Sequence, residues 1–141
     1  MNFSSKKYKV LIIDDDHFLL SMYIKKFNDS GFEATGADDG TEALSRIREG
    51  SVVPDIVLLD MVMPVMDGFE IIEHIRKEKL IPEAKLIVLS NQSQSADIDK
   101  AKQMGIAGYI VKATTIPSEV VMEVRNIVSG TADAPAMSAE Q

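Results

Sequence analysis

The chain has 141 residues, which suits one domain with a single core and leaves no room for a second folded module, since domains commonly have about 100–150 residues. Its formal net charge of −7 argues against a surface that binds nucleic acids regardless of sequence, because such surfaces need clustered lysine and arginine. It has no cysteine for disulfides, no run close to the ~20 apolar residues of a membrane span and no secretory signal, so we expect a cytoplasmic protein that binds neither nucleic acid nor a membrane.

In chain order, the first half of the sequence alternates between strand-like and helix-like patterns. Residues 8–13 are nearly all apolar and predict a buried strand. Residues 17–30 follow with apolar side chains at the i, i+3, i+4 and i+7 spacing of a helix. A weaker strand is predicted over residues 32–37, a helix over residues 41–49 and a third strand over residues 55–59.

The second half continues the same alternation. It predicts a helix over residues 67–79, a strand over residues 85–89 and a fourth, less apolar helix over residues 94–104. A last strand over residues 108–111 leads to a helix over residues 117–128. Five strand-helix units in succession predict an α/β domain with a doubly wound, five-stranded parallel sheet and helices on both faces.

Polar side chains stand where the predicted strands end. Asp14 and Asp15 follow the first strand, Asp60 the third, Ser90 the fourth and Lys112 the fifth. Ligands of open α/β sheets bind in the crevice outside the carboxyl ends of the strands, so we expect these side chains to share one pocket.

The chemistry of this pocket favours a hard metal ion and phosphate. Asp14, Asp15 and Asp60 would lie close together, and such crowding raises the pKa of at least one of them. Mg²⁺ suits oxygen ligands completed by a phosphate, whereas the lack of histidine and cysteine disfavours zinc. A carboxylate nucleophile could form an aspartyl-phosphate, with Lys112 neutralising phosphoryl oxygens and Ser90 donating a hydrogen bond.

These residues together resemble the receiver domain of two-component response regulators, over residues 8–129. The resemblance rests on the acidic pair, the later aspartate, the hydroxyl and the lysine, and also on the run Asp60-Met61-Val62-Met63-Pro64 followed by Asp67-Gly68. It implies a flavodoxin-like receiver fold with the strand order 2-1-3-4-5. Residues 1–7 would be an N-terminal extension, and residues 130–141, which are small and polar without periodicity, are expected to be a disordered tail.

The resemblance also implies a role for each site residue. Asp60 would be the phosphoacceptor, acting together with the hydroxyl and the lysine after the fourth and fifth strands. Asp15 and Asp60 would bind Mg²⁺ through their side chains, Val62 through its backbone carbonyl, and Asp14 more distantly through water. Tyr109 matches the aromatic switch, whose ring turns inward when the acceptor is phosphorylated.

The implied function is that of a stand-alone response regulator. A sensor histidine kinase or a phosphotransfer protein would donate the phosphoryl group, and the chain would catalyse only its own phosphorylation and dephosphorylation. Because no further domain is expected after residue 129, the signal would pass to a separate protein target. Alternatively, it would drive phosphorylation-dependent homodimerisation through the fourth helix, the fifth strand and the fifth helix.

Three positions depart from the family pattern. Ala113 replaces the proline that usually follows the lysine, so we expect either a trans bond with an altered loop or a strained cis bond after Lys112. Asn91 occupies a position where a small residue is common in the family. Val62 occupies one where a polar residue is frequent. We expect both to change the lifetime of the phosphorylated state.

Other functions are less well supported by the sequence. A haloacid-dehalogenase-like phosphatase needs a second aspartate where this chain has Val62, and the run Asp14-Asp15-Asp16 would repel a nucleotide phosphate. A receiver-like docking module that is never phosphorylated remains the alternative.

Several singled-out residues also have structural explanations. We expect Asp16 to be a helix N-cap, His17 and His74 to lie on the surface, and Tyr109 alternatively to be a packing residue only. The methionines at 61, 63 and 66 are predicted to pack inside their loop. The fifth helix is apolar on more than one stripe, which fits either deep packing or a partner surface.

Overall fold

The structure is a computed structural model that describes residues 7–91, 95–112 and 115–130, with the backbone alone for residues 95–97. The strands are β1 Lys9–Ile13, β2 Glu33–Ala37, β3 Ile56–Asp60, β4 Lys85–Ser90 and β5 Gly108–Val111. The helices are α1 His17–Asp29, α2 Gly40–Glu49, α3 Gly68–Lys77, α4 Ser95–Gln103 and α5 Pro117–Ser129. The predicted alternation of strands and helices is confirmed for all ten elements.

The five strands form one parallel sheet in the order β2-β1-β3-β4-β5, as predicted. Ile13 pairs with Leu59, so the ends of β1 and β3 lie side by side. Pairing between β3 and β4 continues as far as Asp60, which lies opposite Leu89. Asp60 and Ser90 are therefore the last residues of β3 and β4. The sequence had predicted that these two strands end one residue earlier.

Two apolar layers sandwich the sheet, which confirms helices on both faces. One layer packs α2, α3 and α4 against the sheet and includes Leu44, Ile72 and Ala101. The other packs α1 and α5 and includes Phe27 and Val124. All five residues of β3 are buried. Such continuous burial is expected of a central strand in a parallel sheet that is covered on both sides.

Aspartate side chains begin three of the helices at the edge where the strands end. Asp16 accepts a hydrogen bond from Leu19 N, which confirms its prediction as the N-cap of α1. Asp39 caps α2, and Asp67 caps α3 in a capping box with Glu70. Caps of this kind satisfy backbone donors that the first turn of a helix leaves open.

Gly68 lets α3 begin directly against the end of β3. A Cβ atom on Gly68 would lie 2.8 Å from both the Asp60 carbonyl oxygen and Met61 Cα. Gly68 N also donates to Met61 O at 3.0 Å. This contact holds the loop after Asp60 close to the sheet.

Three expectations fall on residues outside those described: the extension before Lys7, the tail after Gly130 and the peptide bond between Lys112 and Ala113. The domain boundaries at residues 8 and 129 therefore stay predictions. Among the described helices, none combines the length and apolar character that crossing a membrane requires.

Candidate functional site

The carboxyl ends of the strands bring the predicted side chains to one edge of the sheet. Asp14 follows Ile13, whose partner Leu59 precedes Asp60, so the two aspartates stand on neighbouring strands. Ser90 ends the next strand and pairs with Val111, the residue before Lys112. The parallel register thus places side chains from four strands together, although they are far apart in sequence.

Lys112 bridges the two buried aspartates. Its Nζ lies 2.8 Å from Asp14 Oδ2 and 3.3 Å from Asp60 Oδ2. The side chains are almost inaccessible to solvent, with exposed fractions of 8% for Lys112, 1% for Asp14 and 8% for Asp60. Buried charges of this kind need partners, and here one ammonium serves two carboxylates.

Backbone groups fix the orientation of both carboxylates. Asp14 Oδ1 accepts from Asp16 N at 2.9 Å, and Asp60 Oδ1 accepts from Val62 N at 3.2 Å. Asp14 Oδ2 is buried and has no hydrogen-bond partner within the described ranges, so its contact with Lys112 is an ion pair without hydrogen-bond geometry. This oxygen has lone pairs available to a further cation.

The site holds an excess of negative charge. Burial is the largest cause that raises the pKa of Asp60, and the charge of Asp14 adds to it, while Lys112 opposes both. Burial disfavours the Lys112 ammonium, but its contacts with Asp14 and Asp60 outweigh burial and raise its pKa. The predicted rise of a carboxyl pKa is therefore present, with desolvation rather than like charge as its main cause.

Asp14, Asp15 and Asp60 form a group that could hold a metal ion. One carboxylate oxygen from each lies within 4.8 Å of the others. Asp14 and Asp60 are buried, whereas Asp15 is exposed. Two buried carboxylates beside an exposed one suit a hard divalent cation that takes oxygen ligands and keeps several waters. The three carboxylates and the buried Oδ2 of Asp14 fit Mg²⁺. Coordination by the backbone carbonyl of Val62 stays a prediction.

Ser90 and Tyr109 line a cavity of about 210 Å³ beside the carboxylates. The other lining residues belong to the loop after β3 and to the start of α3: Met61, Val62, Met63, Asp67 and Phe69. Met61 and Met63 are buried and Met66 packs against the same layer, which confirms that these methionines pack inside the loop. Tyr109 is partly buried against this layer, so its position fits packing, and switching stays a prediction.

The loop between β3 and α3 contains a strained residue. Val65 has φ of 70°, and Met66 N donates to Pro64 O across it at 2.7 Å. This arrangement is the rare form of γ-turn with a positive φ, and a β-branched residue fits it poorly. The Val65 side chain is 93% exposed, so little packing within the described residues offsets the strain.

Val65→Asn is expected to stabilise the fold by about 1 kcal/mol, because a sparsely populated backbone conformation costs on the order of 1–3 kcal/mol and asparagine is enriched at positive φ, where a β-branched residue is an outlier. Urea unfolding would measure the change. Val53→Asn is the matched control, since Val53 is 63% exposed and has no positive φ. A gain no larger than that of the control would contradict the strain.

Tyr23 is a buried core residue of α1, as its helical spacing predicted, and the charges of the site act on its phenol. It is 2% exposed. Burial is the main cause that raises the pKa of its phenol, and the charges of Lys112, Asp14 and Asp60 also act on it.

Other predicted positions lie on the surface. His17 contacts Asp38 and His74 contacts Glu78, and the side chains of both histidines are substantially exposed, as expected. Asn91 is exposed directly after Ser90. The two apolar stripes of α5 divide into a buried face and exposed residues, of which Met122 is 62% exposed.

Comparison with known proteins agrees with this geometry. Chemotaxis protein CheY of Thermotoga maritima is 39% identical over 122 residues, which cover 86% of this chain and 97% of CheY. The DNA-binding response regulator MtrA of Mycobacterium leprae is 31% identical over 130 residues, which cover 92% of this chain and 55% of MtrA. The chain thus spans about half the length of MtrA.

Solved structures show the same fold. CheY4 of Vibrio cholerae superposes with a TM-score of 0.78 at 26% identity, over 86% of this chain and 99% of CheY4. The receiver domain of the Francisella response regulator 1452 superposes with a TM-score of 0.77 at 28% identity, over 89% of this chain and 99% of that receiver domain. The family profile described as response regulator receiver domain matches residues 10–124. The chain therefore belongs to the receiver domain family of two-component response regulators.

Proposed function

We propose that this receiver accepts a phosphoryl group on Asp60 in a Mg²⁺-dependent reaction and thereby switches a protein-interaction surface. The observation that carries the proposal is the position of Asp60: its carboxylate ends β3 beside Asp14 and Asp15, and Lys112 lies 3.3 Å away. A nucleophilic carboxylate, a cation-binding group and a fixed ammonium are the components that phosphoryl transfer needs.

In the transfer step, a carboxylate oxygen of Asp60 attacks the phosphorus of a phosphohistidine on a partner kinase or phosphotransfer protein. A P–O bond forms, the P–N bond breaks, and the imidazole nitrogen leaves with the bonding pair. Hydrolysis reverses the switch, because water attacks phosphorus and the P–O bond to Asp60 breaks. The chain would thus catalyse only its own phosphorylation and dephosphorylation.

Lys112 and the acidic group supply the charge balance. Asp15, Asp60 and the Val62 carbonyl would hold Mg²⁺, with Asp14 more distant, and the bound ion would supply positive charge beside the phosphoryl oxygens. The Lys112 ammonium already touches Asp60 and can follow the new dianion without a large movement. Its raised pKa keeps it charged at neutral pH.

The switch would pass from the site to the surface formed by α4, β5 and α5. Ser90 ends β4, and Tyr109 of β5 lines the same cavity beside the loop after β3. We infer that a hydrogen bond from Ser90 to the phosphoryl group draws Tyr109 inward, so that a downstream protein, or a second phosphorylated copy, binds the changed face. We place the switch in the cytoplasm, where the lack of cysteine is unremarkable.

Intact mass after incubation with Mg²⁺ and acetyl phosphate tests the proposal. One added phosphoryl group is expected on the wild type and none on Asp60→Asn. Asp16→Asn is the matched control and should still be phosphorylated, because asparagine also serves as an N-cap. No addition to the wild type would overturn phosphorylation by small donors and favour the docking-module alternative.

The exposed residues flanking Asp60 are expected to set the lifetime of the phosphorylated state. Val62 donates its N–H to Asp60 and its side chain is 58% exposed, and Asn91 is exposed two residues after Leu89, the β4 partner of Asp60. An amide can orient the attacking water, so Val62→Asn should speed dephosphorylation and Asn91→Ala should slow it, each by about tenfold or ~1.4 kcal/mol in the barrier. Phosphate release after removal of the donor measures both rates, and unchanged rates would contradict the expectation.

A further inference from the structure

Apolar packing attaches α4 to the fold only weakly. Among the side chains of α4 that the structure describes, residues 98–103, only Ala101 is buried. Burial of a single methyl group stabilises a helix far less than burial of the leucine and isoleucine side chains of α2 and α3. Polar contacts therefore have a larger part in fixing α4 than in fixing these two helices.

One such contact joins the last turn of α4 to the first turn of α3. The Lys100 ammonium lies over the Phe69 ring, with Nζ 4.4 Å from the ring centroid. A cation at this distance is attracted by the negative face of an aromatic ring. Phe69 also lines the cavity that contains Ser90 and Tyr109. Lys100 therefore rests on a wall of that cavity.

A second contact holds the chain where α4 ends. The Arg76 guanidinium donates to Met104 O at 3.2 Å and to Gly105 O at 2.7 Å. Carbonyl groups at the end of a helix carry partial negative charge, so a cation is favourable there. Arg76 stands two turns after Phe69 on α3, so both contacts lie on the same side of that helix. Together they hold α4 against α3 at two points.

We propose that Lys100 and Arg76 form a latch that keeps α4 in its unphosphorylated position until Tyr109 enters the cavity. The release step rests on the proposed function, in which phosphorylation of Asp60 draws Tyr109 inward. Because Phe69 lines the same cavity, the entering ring displaces it and takes it from beneath Lys100. Only Arg76 then holds α4, which becomes able to adopt the arrangement that a partner recognises.

The weakness of the Lys100 contact suits a latch. Lys100 is exposed, so water competes with the Phe69 ring for its ammonium. One phosphoryl group can release a contact of this strength, whereas a fully buried ion pair would keep α4 fixed in both states. Because phosphorylation favours the released state, release in turn favours phosphorylation. The latch therefore lowers the fraction of molecules that are ready to accept the phosphoryl group.

Hydrogen exchange of the whole unphosphorylated chain tests the latch without a phosphodonor. Lys100→Met should speed the exchange of the α4 amides by about two- to fivefold, the size expected for an exposed cation–π contact. Arg76→Met should act in the same direction. Lys102→Met is the matched control, because it removes another exposed lysine from the last turn of α4 at a similar helix propensity. Equal exchange in Lys100→Met and Lys102→Met would overturn the latch.

A double-mutant cycle tests whether Phe69 is the partner of Lys100. Phe69→Leu removes the aromatic face but keeps an apolar side chain, and it should speed the exchange of α4 as Lys100→Met does. Adding Lys100→Met to Phe69→Leu should then have no further effect, since both changes remove the same contact. Additive effects on exchange would overturn this contact as part of the latch.

The rate of phosphorylation by acetyl phosphate with Mg²⁺ tests the coupling to Asp60. Intact mass should show Lys100→Met accepting the phosphoryl group about two- to fivefold faster than the wild type and Lys102→Met, because more molecules are already released. Faster exchange with an unchanged rate of phosphorylation would overturn the coupling and leave only a structural contact. A wild type that accepts no phosphoryl group would overturn the proposed function and with it the coupling, while the exchange experiment still decides whether the latch holds α4.

Discussion

Lys112→Met is expected to lower the free energy of unfolding by about 3–5 kcal/mol in magnesium-free buffer at neutral pH, the usual cost of removing one partner from a buried ion pair. The Lys112 ammonium lies 2.8 Å from Asp14 and 3.3 Å from Asp60, and all three side chains are at most 8% exposed. Methionine fills much of the same volume, so the loss would come from charge rather than from a cavity. Two buried carboxylates would then face each other without a cation.

Urea unfolding at constant pH measures this change. Lys102→Met is the matched control, because Lys102 is exposed on α4 and its substitution should stay within about 0.5 kcal/mol of the wild type. Saturating Mg²⁺ should recover part of the loss, since an ion at about 100 times its Kd adds ~2.7 kcal/mol to the folded state. A Lys112→Met variant as stable as its control would show that the ion pair contributes nothing to stability.

The positions of the site residues could be predicted because they depend on strand ends. Apolar runs that stop at Asp14, Asp60 and Ser90 mark the carboxyl ends of buried parallel strands, and the sheet order then brings those ends together. Asp16 as an N-cap was predictable for a similar reason, since capping depends on the local sequence alone. Backbone pairing and local hydrogen bonds thus determine these features.

Features that depend on contacts between distant segments were not predictable. The sequence indicated Lys112 as a neutralising group but not that it bridges Asp14 and Asp60. Crowding of like charges was the expected cause of the raised carboxyl pKa, whereas burial is the larger cause for Asp60. How deeply a strand end is buried depends on every segment around it, and no local pattern reports this.

The strained turn and the exposed methionines show the same limit. Val65 has a positive φ although its β-branched side chain disfavours one, so its own residue type gave no signal of this turn. The apolar stripes of α5 could not be divided into buried and exposed members until α1 was placed beside them. Val124 is buried while Met122 is 62% exposed, although both fit the apolar pattern.

Asp60→Asn is expected to make the metal-free protein more stable than the wild type at neutral pH, although it removes the proposed phosphoacceptor. Burial and the charge of Asp14 raise the pKa of Asp60 above its ordinary value of 3.8. The folded protein therefore binds this proton more tightly than the unfolded chain does. Wild-type stability should fall as the pH rises from the ordinary carboxyl range through the raised pKa of Asp60. Asparagine has no proton to lose, and Lys112 keeps its contact with Asp14.

Urea unfolding of both proteins across the acidic to neutral range, with a chelator present, measures the difference in unfolding free energy. The advantage of Asp60→Asn should vanish below the ordinary carboxyl pKa and reach its full size above the raised one. Acid-sensitive groups that do not interact with Asp60 cancel in this difference, including Glu78, whose contacts with Arg48 and His74 lower its pKa to about 2. Mg²⁺ should reverse the order at neutral pH, because the wild type has one more carboxylate ligand and gains more from binding. Two results would contradict this expectation: a stability advantage of Asp60→Asn over the wild type that is independent of pH, or one that Mg²⁺ leaves unchanged. Either result would show that the charge of Asp60 does not destabilise the metal-free site.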